Sequence, residues 1–136
     1  MPLSEFAMIA KYFREASPQR DDTILAIGDD AALIRINEDR QLVTCLLQWL
    51  AGIDYDTSAP AADTGRRLLT QAISDLEARG VKPAWMTLSL SFEQLNEHWL
   101  DEFSQGLLDL ANQFSIQLNH WSSLILQEFL LIIKLF

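Results

Sequence analysis

The chain has 136 residues, of which 49% are hydrophobic and 21% charged, and its formal net charge is −9. This composition is typical of one globular domain and excludes a disordered segment. The negative charge argues against nucleic acid as a partner, because a DNA or RNA binder needs a basic face that displaces counterions. Nucleotide binding stays open, since a metal ion can bridge carboxylates to phosphates. The single cysteine cannot form an internal disulfide, which agrees with a cytoplasmic location.

The first third of the chain predicts a helix followed by strands. Ser4 can cap a helix that runs to about residue 16, with apolar residues at three- and four-residue spacing. A short strand at 24–27 leads to a Gly-Asp-Asp turn, and two further strands are expected at 31–36 and 41–47. Because a polar, turn-like segment separates the last two strands, we expect them to pair as a hairpin.

The rest of the chain alternates helix and strand. We expect a helix at about 60–79 that ends before Gly80, a strand at 84–92, a helix at 95–114 and a strand that begins at 116. This order predicts an α/β fold in which helices pack on one face of a mixed sheet.

Apolar periodicity indicates which side of each element is buried. The expected inward residues are Leu68, Leu69, Ala72, Ile73 and Leu76 on the first of these helices, Met86, Leu88 and Leu90 on the strand, and Trp99, Phe103, Leu107, Leu110 and Phe114 on the second helix.

Three carboxylates are candidates for chemistry. Asp29 and Asp30 follow a glycine directly, and two adjacent like charges have no packing role. Asp75 is expected at the border of the apolar stripe of its helix, where a carboxylate can be partly buried. Mg²⁺ is held by one or two carboxylates plus substrate phosphates, so these side chains suggest a magnesium site. From spacing alone, a solvated acidic turn and an ordinary surface aspartate are the favoured interpretations.

Several segments carry a family resemblance. The runs 26–34, 73–76 and 80–85, together with the opening Ser4-Glu5-Phe6, closely resemble the N-terminal half of the thiamine-monophosphate kinase family, within the aminoimidazole-ribonucleotide synthetase superfamily. The resemblance covers residues 4 to 118. It implies the N-terminal fold of that superfamily, with helices packed on one face of a mixed sheet.

The resemblance also implies an activity and a site. ATP would phosphorylate thiamine monophosphate to thiamine diphosphate, with Mg²⁺ as the metal and a homodimer as the assembly. Asp30 and Asp75 match the family's magnesium ligands, and Asp29 is a weaker candidate. The implied partners are therefore ATP and thiamine monophosphate.

The chain departs from the family pattern at three places. Leu47 stands where a further metal-binding aspartate is expected, and an isobutyl group cannot coordinate Mg²⁺. Asp54 matches the position of a substrate-side histidine, and the run 118–122 replaces a Gly-Gly-Asp motif. We therefore expect the chain to be incomplete for catalysis. Two alternatives remain: a non-catalytic remnant that keeps the dimerisation fold, and a related superfamily member that acts on another substrate.

The sequence suggests a division at residue 118. Residues 1–118 form an expected ATP- and magnesium-binding domain, and residues 119–136 form a divergent apolar tail. The tail has three open interpretations: a core helix or strand, an aberrant end from a frame change, or an interaction helix. Its apolar run is shorter than the roughly 20 residues that span a bilayer, so no membrane partner is expected. Neither His98 nor Cys45 has neighbours that suggest zinc binding or nucleophilic catalysis.

Overall fold

The computed structural model describes residues 21, 23–25, 33–92, 96–125 and 130–135. The predicted first helix and the two aspartates of the Gly-Asp-Asp turn lie outside these residues. The elements are strands β1 (Thr23–Leu25), β2 (Leu33–Ile34) and β3 (Cys45–Leu50), helix α1 (Ala61–Glu77), strand β4 (Trp85–Phe92), helix α2 (Glu97–Phe114), and strands β5 (Gln117–Ile125) and β6 (Leu130–Leu135).

Four of these strands form a mixed sheet in the order β3-β6-β4-β5. β4 and β5 run parallel, whereas β6 is antiparallel to both β3 and β4. Helix α2 connects β4 to β5, as expected for parallel neighbours, which need a crossover rather than a tight turn. The predicted α/β class with a mixed sheet is confirmed.

The two helices approach each other closely at a pair of glycines. A Cβ atom built on Gly65 would lie 2.5 Å from the carbonyl oxygen of Phe103. A Cβ atom on Gly106 would overlap the backbone of Ala62, at 2.7 Å from its carbonyl carbon. Glycine is therefore required at this crossing, because any side chain would separate the helices.

The core forms where α1 and α2 cover the sheet. All five predicted inward residues of α1 are buried, as are Met86, Leu88 and Leu90 of β4. On α2 the prediction is partly wrong. Phe103 and Leu107 are buried, but Phe114 is 39% exposed, and Trp99 and Leu110 are only half-buried. The buried stripe runs instead through Leu100, Phe103, Leu107 and Ala111, a spacing of three and four residues that turns the terminal aromatic residue towards solvent.

The predicted hairpin between 31–36 and 41–47 is wrong. β2 pairs with β1, and the strand after the polar segment begins only at Cys45. β3 pairs over six residues with β6, from Cys45 opposite Leu135 to Leu50 opposite Leu130. β3 is therefore an edge strand whose partner is distant in sequence, and β1 and β2 form a separate two-stranded sheet.

The apolar tail contributes backbone to this sheet. Residues 119–125 extend β5, and β6 lies between β3 and β4. The division at residue 118 stays a prediction, because pairing in one sheet does not decide where a domain ends. Within the described part of the chain, neither helix is long and apolar enough to cross a bilayer.

Candidate functional site

An open cavity of about 410 Å³ lies where β3 begins and α1 ends. The start of β3 and the residue before it supply one wall, and the last turn of α1 with the residues that follow supplies the other. The lining residues are Thr44, Cys45, Leu46, Asp75 and Arg79. The cavity therefore brings together one carboxylate, one guanidinium, one hydroxyl and one thiol.

Helix α1 ends in a way that fixes this wall. The helix stops at Glu77, and Gly80 follows with a φ of 73°, a conformation that glycine adopts without steric cost. The Gly80 amide donates to the carbonyl of Glu77 at 2.9 Å, and the Val81 amide donates to the carbonyl of Leu76 at 3.2 Å. These bonds satisfy carbonyls that the helix leaves unpaired, and they hold Arg79 beside the cavity.

Asp75 lies on α1 at the position that the sequence predicts. Its neighbour Leu76 is buried, Ser74 is exposed, and Asp75 itself is half-buried at the border of the apolar stripe. Arg79 Nη1 donates to the backbone oxygen of Asp75 at 2.6 Å and makes no salt bridge with its carboxylate. Among the described residues, no side chain pairs with the Asp75 carboxylate, so its oxygens can meet a ligand in the cavity.

Cys45 shares this cavity but is a poor nucleophile. Burial raises the pKa of the Cys45 thiol, and the negative charge of Asp75 raises it further, while Arg79 opposes the shift. The thiol is therefore protonated at neutral pH, and only the thiolate attacks or binds metals well. The expectation that Cys45 has no catalytic role stays a prediction.

The described donors fit a magnesium ion only if phosphate and water supply most of its ligands. Asp75 offers a carboxylate and Thr44 a hydroxyl, while Mg²⁺ uses one or two carboxylates plus phosphate oxygens. Across the described ranges, no three histidine, cysteine, aspartate or glutamate side chains come together. Asp29 and Asp30 lie outside those ranges, so their meeting with Asp75 stays a prediction.

Leu47 lies on the same face of β3 as Cys45, but it packs against the core and is not among the residues that line the cavity. Strand β3 alternates, so that Cys45, Leu47 and Trp49 are more buried than the residues between them. Leu47 packs against the apolar cluster under α1. An isobutyl group here adds packing energy and no metal ligand.

The loop after β3 uses its acidic residues structurally. The Leu50 amide donates to the Asp54 carboxylate at 2.6 Å, so the residue at the expected histidine position closes a turn. Asp56 accepts hydrogen bonds from the amide of Ser58 at 2.9 Å and from its hydroxyl at 2.7 Å. These bonds lower the pKa of Asp56, because they favour its charged form.

Sequence reasoning missed one feature of the cavity and one of the core. No function was predicted for Arg79, although a basic residue four positions after an aspartate of a predicted helix is a recognisable signal. Tyr55 is 5% exposed and stacks on Trp49 with ring centroids 6.2 Å apart, and its buried hydroxyl has no hydrogen-bond partner among the described residues. No sequence signal indicates that this hydroxyl is buried.

Comparison with known proteins identifies the family. The profile of the AIR synthase related protein, N-terminal domain, matches residues 28–119. The thiamine-monophosphate kinase of Escherichia coli (strain K12) is 39% identical over 118 residues, which is 87% of this chain and 36% of that protein. The chain therefore spans little more than a third of the length of the curated relatives it matches.

Solved structures show the same fold. The thiamine-monophosphate kinase from Stenotrophomonas maltophilia K279a superposes with a TM-score of 0.83 and 36% identity, over 99% of this chain and 42% of that chain. AaThiL complexed with AMPPCP and TMP has a TM-score of 0.65 at 16% identity, over 99% of this chain and 43% of that chain, which is a likeness of fold alone. The matched profile covers more than half of the chain, so the chain belongs to the AIR synthase related protein family and carries its N-terminal domain.

Proposed function

We propose that the chain is the nucleotide-binding part of a thiamine-monophosphate kinase, which transfers a phosphoryl group from ATP to thiamine monophosphate. The observation that carries this proposal is the 39% identity to the Escherichia coli kinase over 87% of the chain. The chain corresponds to 36% of that protein. We therefore infer that this part of the protein supplies the nucleotide and metal side of the reaction.

ATP and Mg²⁺ are the proposed ligands, with Asp75 and Asp30 as the metal-binding residues. The open Asp75 carboxylate on the cavity supports the first assignment, and the family resemblance alone supports the second. The fold relative complexed with AMPPCP, an ATP analogue, supports the nucleotide class. When bound, Mg²⁺ would neutralise phosphate charge and hold donor and acceptor in line. Asp75 would hold the ion, and the cavity walls would orient the phosphates.

The proposed assembly is a cytoplasmic homodimer without nucleic-acid or membrane partners. Leu46 is 66% exposed and Leu42 is 48% exposed, and apolar side chains on an open surface favour pairing with a second copy. The net charge of −9 offers no basic face for nucleic acid. Light scattering coupled to size exclusion is expected to give twice the mass of the chain. A monomer at all concentrations would contradict the assembly.

Calorimetric titration with MgATP tests the proposed site. The wild-type chain is expected to bind, and Asp75→Asn and Asp30→Asn are each expected to weaken binding by about tenfold or more. Asp63→Asn is the matched control, because Asp63 lies on the first turn of the same helix and pairs with Arg66 at 3.3 Å. Equal affinities for the wild type and Asp75→Asn would contradict the assignment.

Leu47 favours a second candidate function, a non-catalytic remnant that keeps the dimerisation fold and binds nucleotide weakly. This side chain packs against the core where the family's pattern has a metal-binding aspartate. Leu47→Asp separates the candidates. If the missing carboxylate limits binding, MgATP affinity rises in this variant although its stability falls. If the wild type already binds tightly and Leu47→Asp adds nothing, the remnant interpretation is wrong.

A further inference from the structure

We propose that Arg79 is a direct anion ligand: its guanidinium contacts a phosphate oxygen of the nucleotide in the Asp75 cavity, so that phosphate binding persists without a divalent ion. This inference rests on the proposed function and goes beyond it. It assigns part of the phosphate binding to a protein cation rather than to the metal.

The position of Arg79 leaves most of its guanidinium available. The residue follows the end of α1, is exposed, and lines the cavity. One arm is fixed, because Nη1 donates to the backbone oxygen of Asp75 at 2.6 Å. A guanidinium has five N–H donors, so the remaining donors can serve a ligand. No salt bridge to the Asp75 carboxylate neutralises its charge.

The charges of the cavity wall favour an anion beside this side chain. Of the five lining residues, only Asp75 and Arg79 carry a formal charge at neutral pH, and their charges cancel. A wall with a carboxylate alone would repel a polyphosphate until a cation bound. Leu47, packed into the core, adds no second carboxylate to the described wall. The planar fork of an arginine also matches two phosphate oxygens at once.

A purely structural role for Arg79 makes a different prediction. Its bond to a carbonyl in the last turn of α1 satisfies an acceptor that the helix leaves open. If that is its whole role, Arg79→Ala lowers the thermal stability slightly and leaves ligand affinity unchanged. If Arg79 binds phosphate, Arg79→Ala weakens ligand binding strongly, by more than its slight effect on thermal stability can explain.

The test is binding of tripolyphosphate and of ATP in EDTA, measured by calorimetry on the whole chain. The wild type is expected to bind both, and Arg79→Ala is expected to weaken both by about tenfold or more. The affinity of Arg79→Lys is expected to lie between those of the wild type and Arg79→Ala, since an ammonium keeps the charge but not the planar arrangement of donors. Arg66→Ala is the matched control on the same helix, because Arg66 pairs with Asp63 away from the lining residues.

Three results would overturn the inference. The first is a wild type that binds MgATP but binds neither tripolyphosphate nor ATP in EDTA. The second is an Arg79→Ala variant that binds these ligands as tightly as the wild type does. The third is an Arg66→Ala variant that loses as much affinity as Arg79→Ala. All three leave the proposed function intact as long as MgATP binds. A wild type that binds no MgATP at all overturns the proposed function first, and with it the identity of the anion.

Discussion

The buried hydroxyl of Tyr55 lowers the stability of the fold, so Tyr55→Phe is expected to raise it. The phenol is 5% exposed, and no residue in the described part of the chain forms a hydrogen bond with its oxygen. An unsatisfied buried polar group costs about 1–3 kcal/mol. Phenylalanine keeps the ring that stacks on Trp49, with centroids 6.2 Å apart. The substitution therefore removes the cost and keeps the packing.

Urea denaturation followed by tryptophan fluorescence measures this gain. We expect the free energy of unfolding to rise by about 1 kcal/mol, with an unchanged m value. The thermal midpoint is expected to rise by about 3 °C. Thr64→Val is the control, because this buried hydroxyl has an acceptor, the Pro60 carbonyl oxygen at 3.4 Å. Removing it is expected to give no gain.

The pH dependence provides an independent check of the same hydroxyl. Burial raises the pKa of Tyr55 to about 12, whereas an unfolded tyrosine titrates at about 10. Between these values the unfolded chain has released the phenolic proton and the folded chain retains it. Rising pH therefore favours unfolding, and the wild type loses stability through this window. Tyr55→Phe lacks this component, so its alkaline loss is smaller. A variant that is no more stable than the wild type and loses stability with the same pH profile would refute the reasoning.

Three further substitutions test the packing. Gly106→Ala is expected to destabilise the chain by about 2 kcal/mol or more in urea denaturation, because the new Cβ overlaps the backbone of Ala62; wild-type stability would show that the helices separate easily. Asn96→Ala is expected to cost about 1 kcal/mol, since the Asn96 side chain accepts from the Trp99 amide at 3.0 Å and caps α2; no loss would show that the cap is dispensable. Phe114→Gln is expected to change the free energy of unfolding by no more than about 0.5 kcal/mol, because this ring is 39% exposed. A loss of several kcal/mol would show that the ring faces the core, as the sequence predicted.

Local periodicity predicted the elements that lie across the middle of the chain. The alternation of β4 placed Met86 and Leu88 inside, and the three- and four-residue spacing of α1 placed Leu68 and Leu76 inside. The same spacing placed Asp75 at the border of the buried stripe. These features depend only on the side-chain periodicity of a single helix or strand, which can be read directly from the sequence.

Features that depend on partners distant in sequence were not predictable in the same way. The ladder between β3 and β6 joins residues that lie about 85 positions apart, and nothing local favours it over the nearer β2. The buried face of α2 is set by its crossing with α1 at Gly106, which turned Phe114 outward.

The site shows the same limit. The resemblance gave Asp54 only as a departure from a substrate-side histidine, and the fold shows that its carboxylate accepts a hydrogen bond from the Leu50 amide. Arg79 was overlooked because its role depends on β3 forming the opposite wall of the cavity. A carboxylate on a helix border can be recognised in a sequence, whereas the cavity that gives Arg79 a role is visible only in the fold.

Binding of a paramagnetic nucleotide complex tests the central claim most directly. Mn²⁺ replaces Mg²⁺ with ATP, and it broadens the NMR signals of amides close to the ion. In the wild type, we expect MnATP to broaden the amide signals of Cys45 and of residue 75. In Asp75→Asn, the same concentration of MnATP is expected to broaden these two signals much less. Undiminished broadening in Asp75→Asn, or none at these amides in the wild type, would show that this cavity does not hold the metal-nucleotide complex.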